Sequence, residues 1–185
     1  EQFVDRLRNI AGVEAAASAT NVPTPAMFSY RRPFAIESMP TPSGAEPWVL
    51  WNTVSHDYFR ALRIPLLRGR TFDAQDRAGA PATAVISESM ARRYWPNGDA
   101  LGARIHMLLQ PGAPALEIVG IVGDVRHDRS RPDADPVAYV SSRQLWQSSH
   151  TSFVLRAEGD PSTLAQAVER ELAGIDSGLA LDRTT

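Results

Sequence analysis

Short apolar runs separated by proline and glycine limit this chain to a fold built mainly from short strands. Residues 13–20 and 48–54 have the length and composition of strands, and a further extended run lies around 34–37. Pro23 and Pro25 end the first of these runs, because proline cannot donate to a strand ladder. The sequence therefore predicts short strands joined by turn-rich loops.

Helical patterns occur near both ends of the chain. Phe3, Leu7 and Ile10 recur at intervals of four and three, which predicts a short first helix. Asp160 and Pro161 open a helix near the other end, with proline at its first position. The predicted buried stripe of that helix has four apolar residues: Leu164, Val168, Leu172 and Ile175. Strands at 152–157 and 179–183 would flank it, which predicts a right-handed parallel crossover.

The middle of the chain is predicted to be mostly sheet with one helix. A strand at 83–86 leads to Ser87, placed as the N-cap of a helix through Trp95. Further strands are predicted at 104–109 and 116–122. The polar, alanine-rich stretch DAQDRAGAPA at 73–82 is the best candidate for a boundary, which we place near residue 77.

The stretch VSHDYFRALRIPLLRGRTF at 54–72 invites two interpretations. His56 and Asp57 beside several arginines are typical of a catalytic site, whereas the apolar spacing is typical of a strand, a short helix capped by Ser55, and a loop. Aspartate at a helix start normally stabilises the exposed amides. A catalytic serine would need a Gly-x-Ser-x-Gly turn, which the sequence lacks.

Two further clusters suggest ligand sites. His127 and Asp128, with His106 and Asp124, could be imagined as a metal site, but their spacing fits no ligand pattern and polar loops carry such residues anyway. Gly120, Gly123 and Asp124 could suggest a phosphate loop. Because these glycines lie within a strand pattern, a bulge or a close backbone approach is the alternative.

Aromatic and basic residues allow similar alternatives. Tyr94 and Trp95 are expected in the core. A ligand-binding hypothesis places three tryptophans around a pocket: Trp48, Trp51 and Trp146. Arg126, Arg129 and Arg131 are expected to be solvated and paired with Asp124, Asp128 and Asp133, the alternative being a partner surface.

Composition excludes several classes of chemistry. All 19 basic residues are arginine, so a Walker A lysine, a Schiff-base lysine and a Ser-x-x-Lys pair are excluded. The chain has no cysteine, which removes thiol nucleophiles, thiolate zinc sites and disulfides. A net charge of -2 gives no basic field for nucleic acid. No apolar run approaches the roughly 20 residues needed to cross a bilayer.

Five stretches occur along the chain in a specific order. They are RLRNIAGVEAAASATNVP at 6–23, VSHDYFRALRIPLLRGRTF at 54–72, AVISESMARRYWPNGDALGARI at 84–105, EIVGIVGDVRHD at 117–128 and FVLRAEGDPSTLAQAVERELAGID at 153–176. Together they resemble the MacB-like periplasmic core domain of FtsX-like ABC-transporter permeases. Ala100 departs from the family pattern, which usually has proline at this turn, and Ala103-Arg104 replaces a common Lys-Arg pair.

The resemblance implies an α+β fold in two parts. Residues 1–76 and 151–185 would form a porter-like α/β subdomain, and residues 77–150 an inserted, smaller β-rich subdomain. Both ends of the chain would face the membrane. The family role needs no catalytic residue, and the resemblance implies no cofactor and no metal.

The resemblance also implies a cellular role. The chain would be the periplasmic segment of a permease in the bacterial inner membrane, transmitting conformational change from a cytoplasmic ATPase to a substrate outside. Its partners would be its own transmembrane helices, the ATPase, a second permease copy and a periplasmic adaptor or lipoprotein, but no nucleic acid. A free-standing periplasmic ligand-binding module and a hydrolase are the alternatives.

Overall fold

The computed structural model describes residues 2–23, 31–39, 41–42, 44–108, 112–126, 134–145 and 151–175. Within these residues lie nine strands: β1 (Val13–Ala19), β2 (Arg31–Ile36), β3 (Trp48–Val54), β4 (Leu66–Gly69), β5 (Thr83–Ser87), β6 (Arg104–Met107), β7 (Leu116–Val122), β8 (Val137–Ser141) and β9 (Ser152–Ala157). Four helices accompany them: α1 (Gln2–Arg8), α2 (Tyr58–Ala61), α3 (Glu88–Tyr94) and α4 (Ala165–Ala173). A 3-10 turn at Pro161–Leu164 leads into α4.

Six of the strands form a hydrogen-bond ladder that closes on itself. Its order is β2, β6, β7, β5, β8 and β3, and β3 then pairs back with β2. The pairs β5–β7 and β3–β8 are parallel, and the other four are antiparallel. We call these six strands the ring. Closure leaves none of the six with a fully open edge, which guards against edge-to-edge association.

One face of all six ring strands contributes to a single buried cluster, and we call this the inner face. Phe34, Trp51, Ile105, Ile118 and Val140 are members of this cluster. Helix α3 contributes Met90, and Trp95 packs at its end. Residues two apart on a strand share this face, since successive side chains point to opposite sides, and the opposite face of β5 and β8 is buried as well.

The two ends of the described chain form a separate layer, which we call the terminal layer. It consists of α1, β1, β9 and α4. Strands β1 and β9 pair antiparallel along nearly their whole length, from Val13 opposite Ala157 to Ala19 opposite Ser152. The helices cover one face of this pair, where Phe3, Leu7 and Leu172 are buried. Leu172 and Val168 of the predicted α4 stripe therefore meet the stripe of α1, whereas Ile175, predicted to be buried, is exposed.

Strand β1 joins the terminal layer to the ring. Its last residue, Ala19, pairs with Val54 of β3. Ala16 faces the cluster beneath α1 and α4, whereas Ala15, Ala17 and Ala19 belong to a different cluster beneath α2. Because these side chains are single methyl groups, helices approach β1 closely from both sides.

Most elements predicted from the sequence are confirmed, with three corrections. Ser87 caps α3, accepting a hydrogen bond from the Met90 amide at 3.3 Å. Ser55 does not cap α2; its hydroxyl accepts from the Ser18 amide of β1 at 3.0 Å. Asp57 occupies the N-cap position but makes no capping hydrogen bond. The segment at 66–69, predicted as a loop, is strand β4, which pairs with β7.

The division of the chain near residue 77 stays a prediction. The ring takes two strands from residues before 77 and four from residues after it. The terminal layer combines the first and last described segments, through the β1–β9 pairing and the packing of α1 on α4. The strand predicted at 179–183 lies outside the described residues, and with it the parallel crossover.

Among the residues that the structure describes, every helix is too short or too polar to cross a lipid bilayer.

Candidate functional site

A buried polar network lies where β1, β3 and α2 meet. Asn52 of β3 is at its centre: its amide oxygen accepts from the Asn21 amide at 3.0 Å and from the Thr20 hydroxyl at 3.2 Å. Its Nδ2 donates to the Asn21 carbonyl at 2.9 Å and to the Tyr58 hydroxyl at 3.3 Å. Burial raises the pKa of Tyr58 well above its ordinary value. The phenol therefore stays neutral and fixes α2 against β3.

His56 and Asp57, for which the sequence allows a catalytic or a structural interpretation, belong to an ion-pair cluster. The Asp57 carboxylate binds Arg8 of α1 at 2.7 Å and Arg60 at 3.3 Å, while His56 Nε2 lies 3.4 Å away. The hydroxyl of Ser55, the nearest serine in sequence, is bonded to β1. The cluster therefore joins α1 to α2, and its arginines occupy the carboxylate, which is typical of a structural ion pair.

Of the four residues considered for a metal site, the two that the structure describes, His106 and Asp124, are not brought together. His106 lies 3.7 Å from Glu37. Asp124 accepts from the Ser89 amide at 2.7 Å and from Arg92 at 3.0 Å. Strand β6, which carries His106, pairs with the first residues of β7, whereas Asp124 follows the last one. His127 and Asp128 lie outside the described residues, among which no group of three metal-binding side chains occurs.

Gly120 and Gly123 mark close backbone approaches, as the strand interpretation predicts. A methyl group at Gly120 would collide with the Arg70 carbonyl oxygen, and one at Gly123 would lie 2.8 Å from a carbon of Pro65. Both neighbours flank β4, which pairs with β7. The missing side chains of these glycines therefore allow β4 to lie close to β7. Neither glycine begins a helix, as the glycines of a phosphate loop would.

The predicted tryptophan pocket is not formed by Trp48 and Trp51. The two residues lie three apart on β3, so their side chains point to opposite faces. Trp51 belongs to the buried cluster of the inner face and is 5% exposed, whereas Trp48 is 53% exposed. Trp95 is buried and Tyr94 packs against the same cluster, as predicted. Trp146 lies outside the described residues.

Only one member of the predicted arginine run, Arg126, lies within the described residues. Asp124, its expected partner, pairs with Arg92 of α3 instead. That pair and the Ser89 amide hold the end of β7 against the start of α3. Arg129 and Arg131 lie outside the described residues, so whether the three arginines form a partner surface stays a prediction.

A buried carboxylate inside the predicted linker was not anticipated. Asp76 is 1% exposed, and Arg70 binds it with two nitrogens at 2.7 and 3.0 Å. The Asp73 amide and the Thr83 hydroxyl each donate to it at 2.8 Å. Its own carbonyl accepts from Ser141 of β8 at 3.0 Å. The linker is therefore anchored to β5 and β8, and no local pattern in the sequence indicates it.

The Tyr139 hydroxyl is buried and, within the described part of the chain, has no hydrogen-bond partner. Burial raises the pKa of this phenol well above its ordinary value. The ring packs against Phe59 at 5.1 Å and Tyr58 at 5.9 Å. The contribution of Tyr139 is therefore its aromatic surface beneath α2.

Replacing Tyr139 with phenylalanine is expected to raise the free energy of unfolding by about 1 kcal/mol, because an unpaired buried hydroxyl is removed. Tyr58→Phe is the matched control: it removes hydrogen bonds to Asn52 and Asn21 and should lower the same quantity by about 1 kcal/mol. Urea denaturation measures both. A clear loss of stability in Tyr139→Phe would show that its hydroxyl is paired.

The terminal helices run antiparallel and pack side by side. Arg6 of α1 lies 3.7 Å from Glu171 of α4. The turn after α1 meets the start of the C-terminal helical segment, where a methyl group at Gly12 would lie 3.8 Å from Leu164. Gln2 and Ile175, the outer ends of the described chain, therefore lie at the same end of the terminal layer.

Comparison with known proteins agrees with this architecture. Residues 2–174 match the model of the MacB-like periplasmic core domain. The periplasmic region of MacB from Actinobacillus actinomycetemcomitans is similar in fold, with a TM-score of 0.65 and 12% identity over 94% of this chain and 72% of that one. None of the curated proteins compared matches the sequence.

Two further solved structures share the fold. A domain of a putative permease protein from Porphyromonas gingivalis has a TM-score of 0.60 and 19% identity over 92% of this chain and 68% of that one. The extracellular domain of the noncanonic ABC-type transporter YknZ from Gram-positive bacteria has a TM-score of 0.61 and 14% identity over 96% and 83%. The family match spans nearly all of the described chain, so the chain belongs to the MacB-like periplasmic core domain family of ABC-transporter permeases.

Proposed function

We propose that this domain transmits conformational change from a cytoplasmic ATPase, through the membrane helices of its permease, to the handling of a substrate outside the membrane. The antiparallel packing of α1 on α4 carries the proposal, since it places both ends of the described chain together. A domain inserted between two membrane helices requires this arrangement. Movement of either membrane helix would then reach the terminal layer directly.

The proposed partners follow from this role. They are the permease's own transmembrane helices, a cytoplasmic ATPase subunit or domain, and a second permease copy, with a periplasmic adaptor or lipoprotein at the outer side. The permease would lie in the bacterial inner membrane with this domain in the periplasm. The family match supports this assignment.

The alternatives receive less support from the described residues. The hydrolase hypothesis rests on two His-Asp pairs. The Asp57 carboxylate beside His56 is occupied by Arg8, and His127 and Asp128 lie outside the described residues. The ligand-binding hypothesis rests on tryptophans, of which Trp48 and Trp51 point apart. We propose that the chain is not an enzyme. Turnover of any substrate in a broad hydrolase panel would contradict that proposal.

The transmission proposal can be tested in the full-length permease with its ATPase. This stretch of the permease has no cysteine, so Arg93→Cys on the exposed surface of α3 accepts a single spin label here. We expect the distance between labels on two permease copies to differ between the nucleotide-free and ATP-bound states. An ATPase unable to bind nucleotide is the control. Identical distance distributions with and without ATP would overturn the proposal.

A further inference from the structure

We propose that α2 is a second element, beside β1, that couples the terminal layer to the ring, held at its start by Arg8 and at its end by Arg156. Arg8 belongs to α1 and Arg156 to β9, both in the terminal layer. Each guanidinium contacts one end of this four-residue helix. The inference deepens the proposed function and rests on it, because it identifies the residues through which movement of the terminal layer would pass.

On one side, α2 is packed firmly against the ring. Tyr58 is fully buried and its hydroxyl accepts a hydrogen bond from Asn52 of β3. Phe59 packs edge-to-face on Tyr139 of β8, with ring centroids 5.1 Å apart. It also meets Phe72, at 6.0 Å. A displacement of α2 therefore cannot leave β3 and β8 unchanged, because close-packed side chains transmit strain.

At the start of α2, the N-cap residue contacts the terminal layer and does not cap the helix. Asp57 stands at the N-cap position, yet its carboxylate binds no α2 amide. It binds Arg8 at 2.7 Å instead, and the two side chains are only 16% and 25% exposed. Aspartate is among the strongest N-cap residues, so α2 lacks the stabilisation that a capping hydrogen bond from this side chain would give.

At its end, α2 is held by a hydrogen bond to its backbone. Nη2 of Arg156 donates to the Ala61 carbonyl at 2.5 Å, and Ala61 is the last residue of α2. A cation at a helix C-terminus also complements the helix dipole. Within the described residues, Nε of both Arg8 and Arg156 is buried without a partner. Arg8 Nη1 also binds Asp5 of α1 at 2.9 Å, so the Arg8 guanidinium joins α1 to the start of α2.

The small side chains of β1 allow Arg8 and Arg156 to contact α2. Ala16 faces the terminal helices, and Ala15, Ala17 and Ala19 face α2. Because only methyl groups separate the layers, side chains from α1 and β9 can contact the two ends of α2. Larger residues in β1 would move α2 away from Arg8 and Arg156.

Native-state hydrogen exchange of the 185-residue chain tests the coupling. In the wild type, we expect amides of β1 and β9 to exchange through the same cooperative opening as those of β5 and β8. In the double variant Arg8→Gln, Arg156→Gln, the terminal-layer amides should exchange about tenfold faster relative to the ring amides, whose protection is retained. The variant Arg170→Gln, which changes an exposed arginine of α4 that bonds within its own helix, is the control and should leave the ratio unchanged.

Two results would overturn the inference. An equal loss of protection in both layers would show that the arginines contribute only general stability, and unchanged protection in both would show that α2 does not depend on them. If the double variant does not fold, the single variant Arg8→Gln gives the same comparison. This experiment needs neither membrane nor ATPase, so its failure is distinct from a failure of the transmission proposal.

Discussion

Replacing Asp76 with alanine is expected to lower the free energy of unfolding by about 4 kcal/mol. Four hydrogen bonds reach this carboxylate: two from Arg70, one from the Asp73 amide and one from the Thr83 hydroxyl. Alanine would remove the carboxylate that accepts from Arg70 and from the Asp73 amide, and the Thr83 hydroxyl would keep only Gln144 Oε1 as its acceptor, at 3.1 Å. Arg70 is 42% exposed and can be rehydrated, which keeps the cost below that of a fully buried cation.

The contribution of Asp76 is also expected to depend on pH. Burial acts to raise the pKa of Asp76, but hydrogen bonds from Arg70, the Asp73 amide and Thr83 together outweigh it, and the pKa lies below the ordinary value of 3.8. A carboxylate whose pKa is lower in the folded state stabilises that state above the unfolded pKa. The stability difference between the wild type and Asp76→Asn should thus stay constant above about pH 5 and shrink as the pH falls below about 4.

Asp73→Asn is the matched control for Asp76. Asp73 is 50% exposed and lies 3.5 Å from the same arginine, so removing its charge should cost less than about 1 kcal/mol. Asparagine can still accept from the Gln75 amide, which preserves the local turn. Urea denaturation between pH 3 and pH 7 measures all three variants. Equal losses at positions 73 and 76 would contradict the assigned role of the buried carboxylate.

Local signals predicted most of the fold. Short runs of apolar or small residues located β1, β3, β5 and β7 to within about a residue, and Ser87 marked the start of α3 correctly. These features depend on neighbours in sequence, through side-chain periodicity and capping. The ordered motifs also indicated the family, which the match over residues 2–174 confirms.

Features that depend on distant partners were not predictable. Asp57 was expected to stabilise the α2 amides, but Arg8, 49 positions earlier, takes its carboxylate. Asp76 lies in an alanine-rich polar stretch that predicts an exposed linker, yet Thr83 and Arg70 bury it. Strand β4 has four exposed residues and no alternation, so only its pairing with β7 defines it. In each case a tertiary contact overrides the local preference.

Replacing Gly120 with alanine is expected to lower the free energy of unfolding by about 3 kcal/mol or more. Gly120 of β7 pairs with Gly69 of β4, and a methyl group at position 120 would collide with the backbone carbonyl of Arg70. A side chain could rotate away, but a carbonyl moves only if β4 shifts. Because Arg70 holds Asp76, the shift would also weaken that buried pair.

Gly98→Ala is the matched control, since Gly98 is exposed and a methyl group there would meet no atom within 4 Å. Its effect should stay within about 0.5 kcal/mol. If the clash acts through Arg70, the double variant Gly120→Ala, Asp76→Ala should lose less stability than the sum of the two single variants, because the shared contact is lost only once. Urea denaturation of the four variants measures this coupling. Strict additivity would show that β4 moves without disturbing the buried pair, and a neutral Gly120→Ala would show that β4 and β7 are not this close.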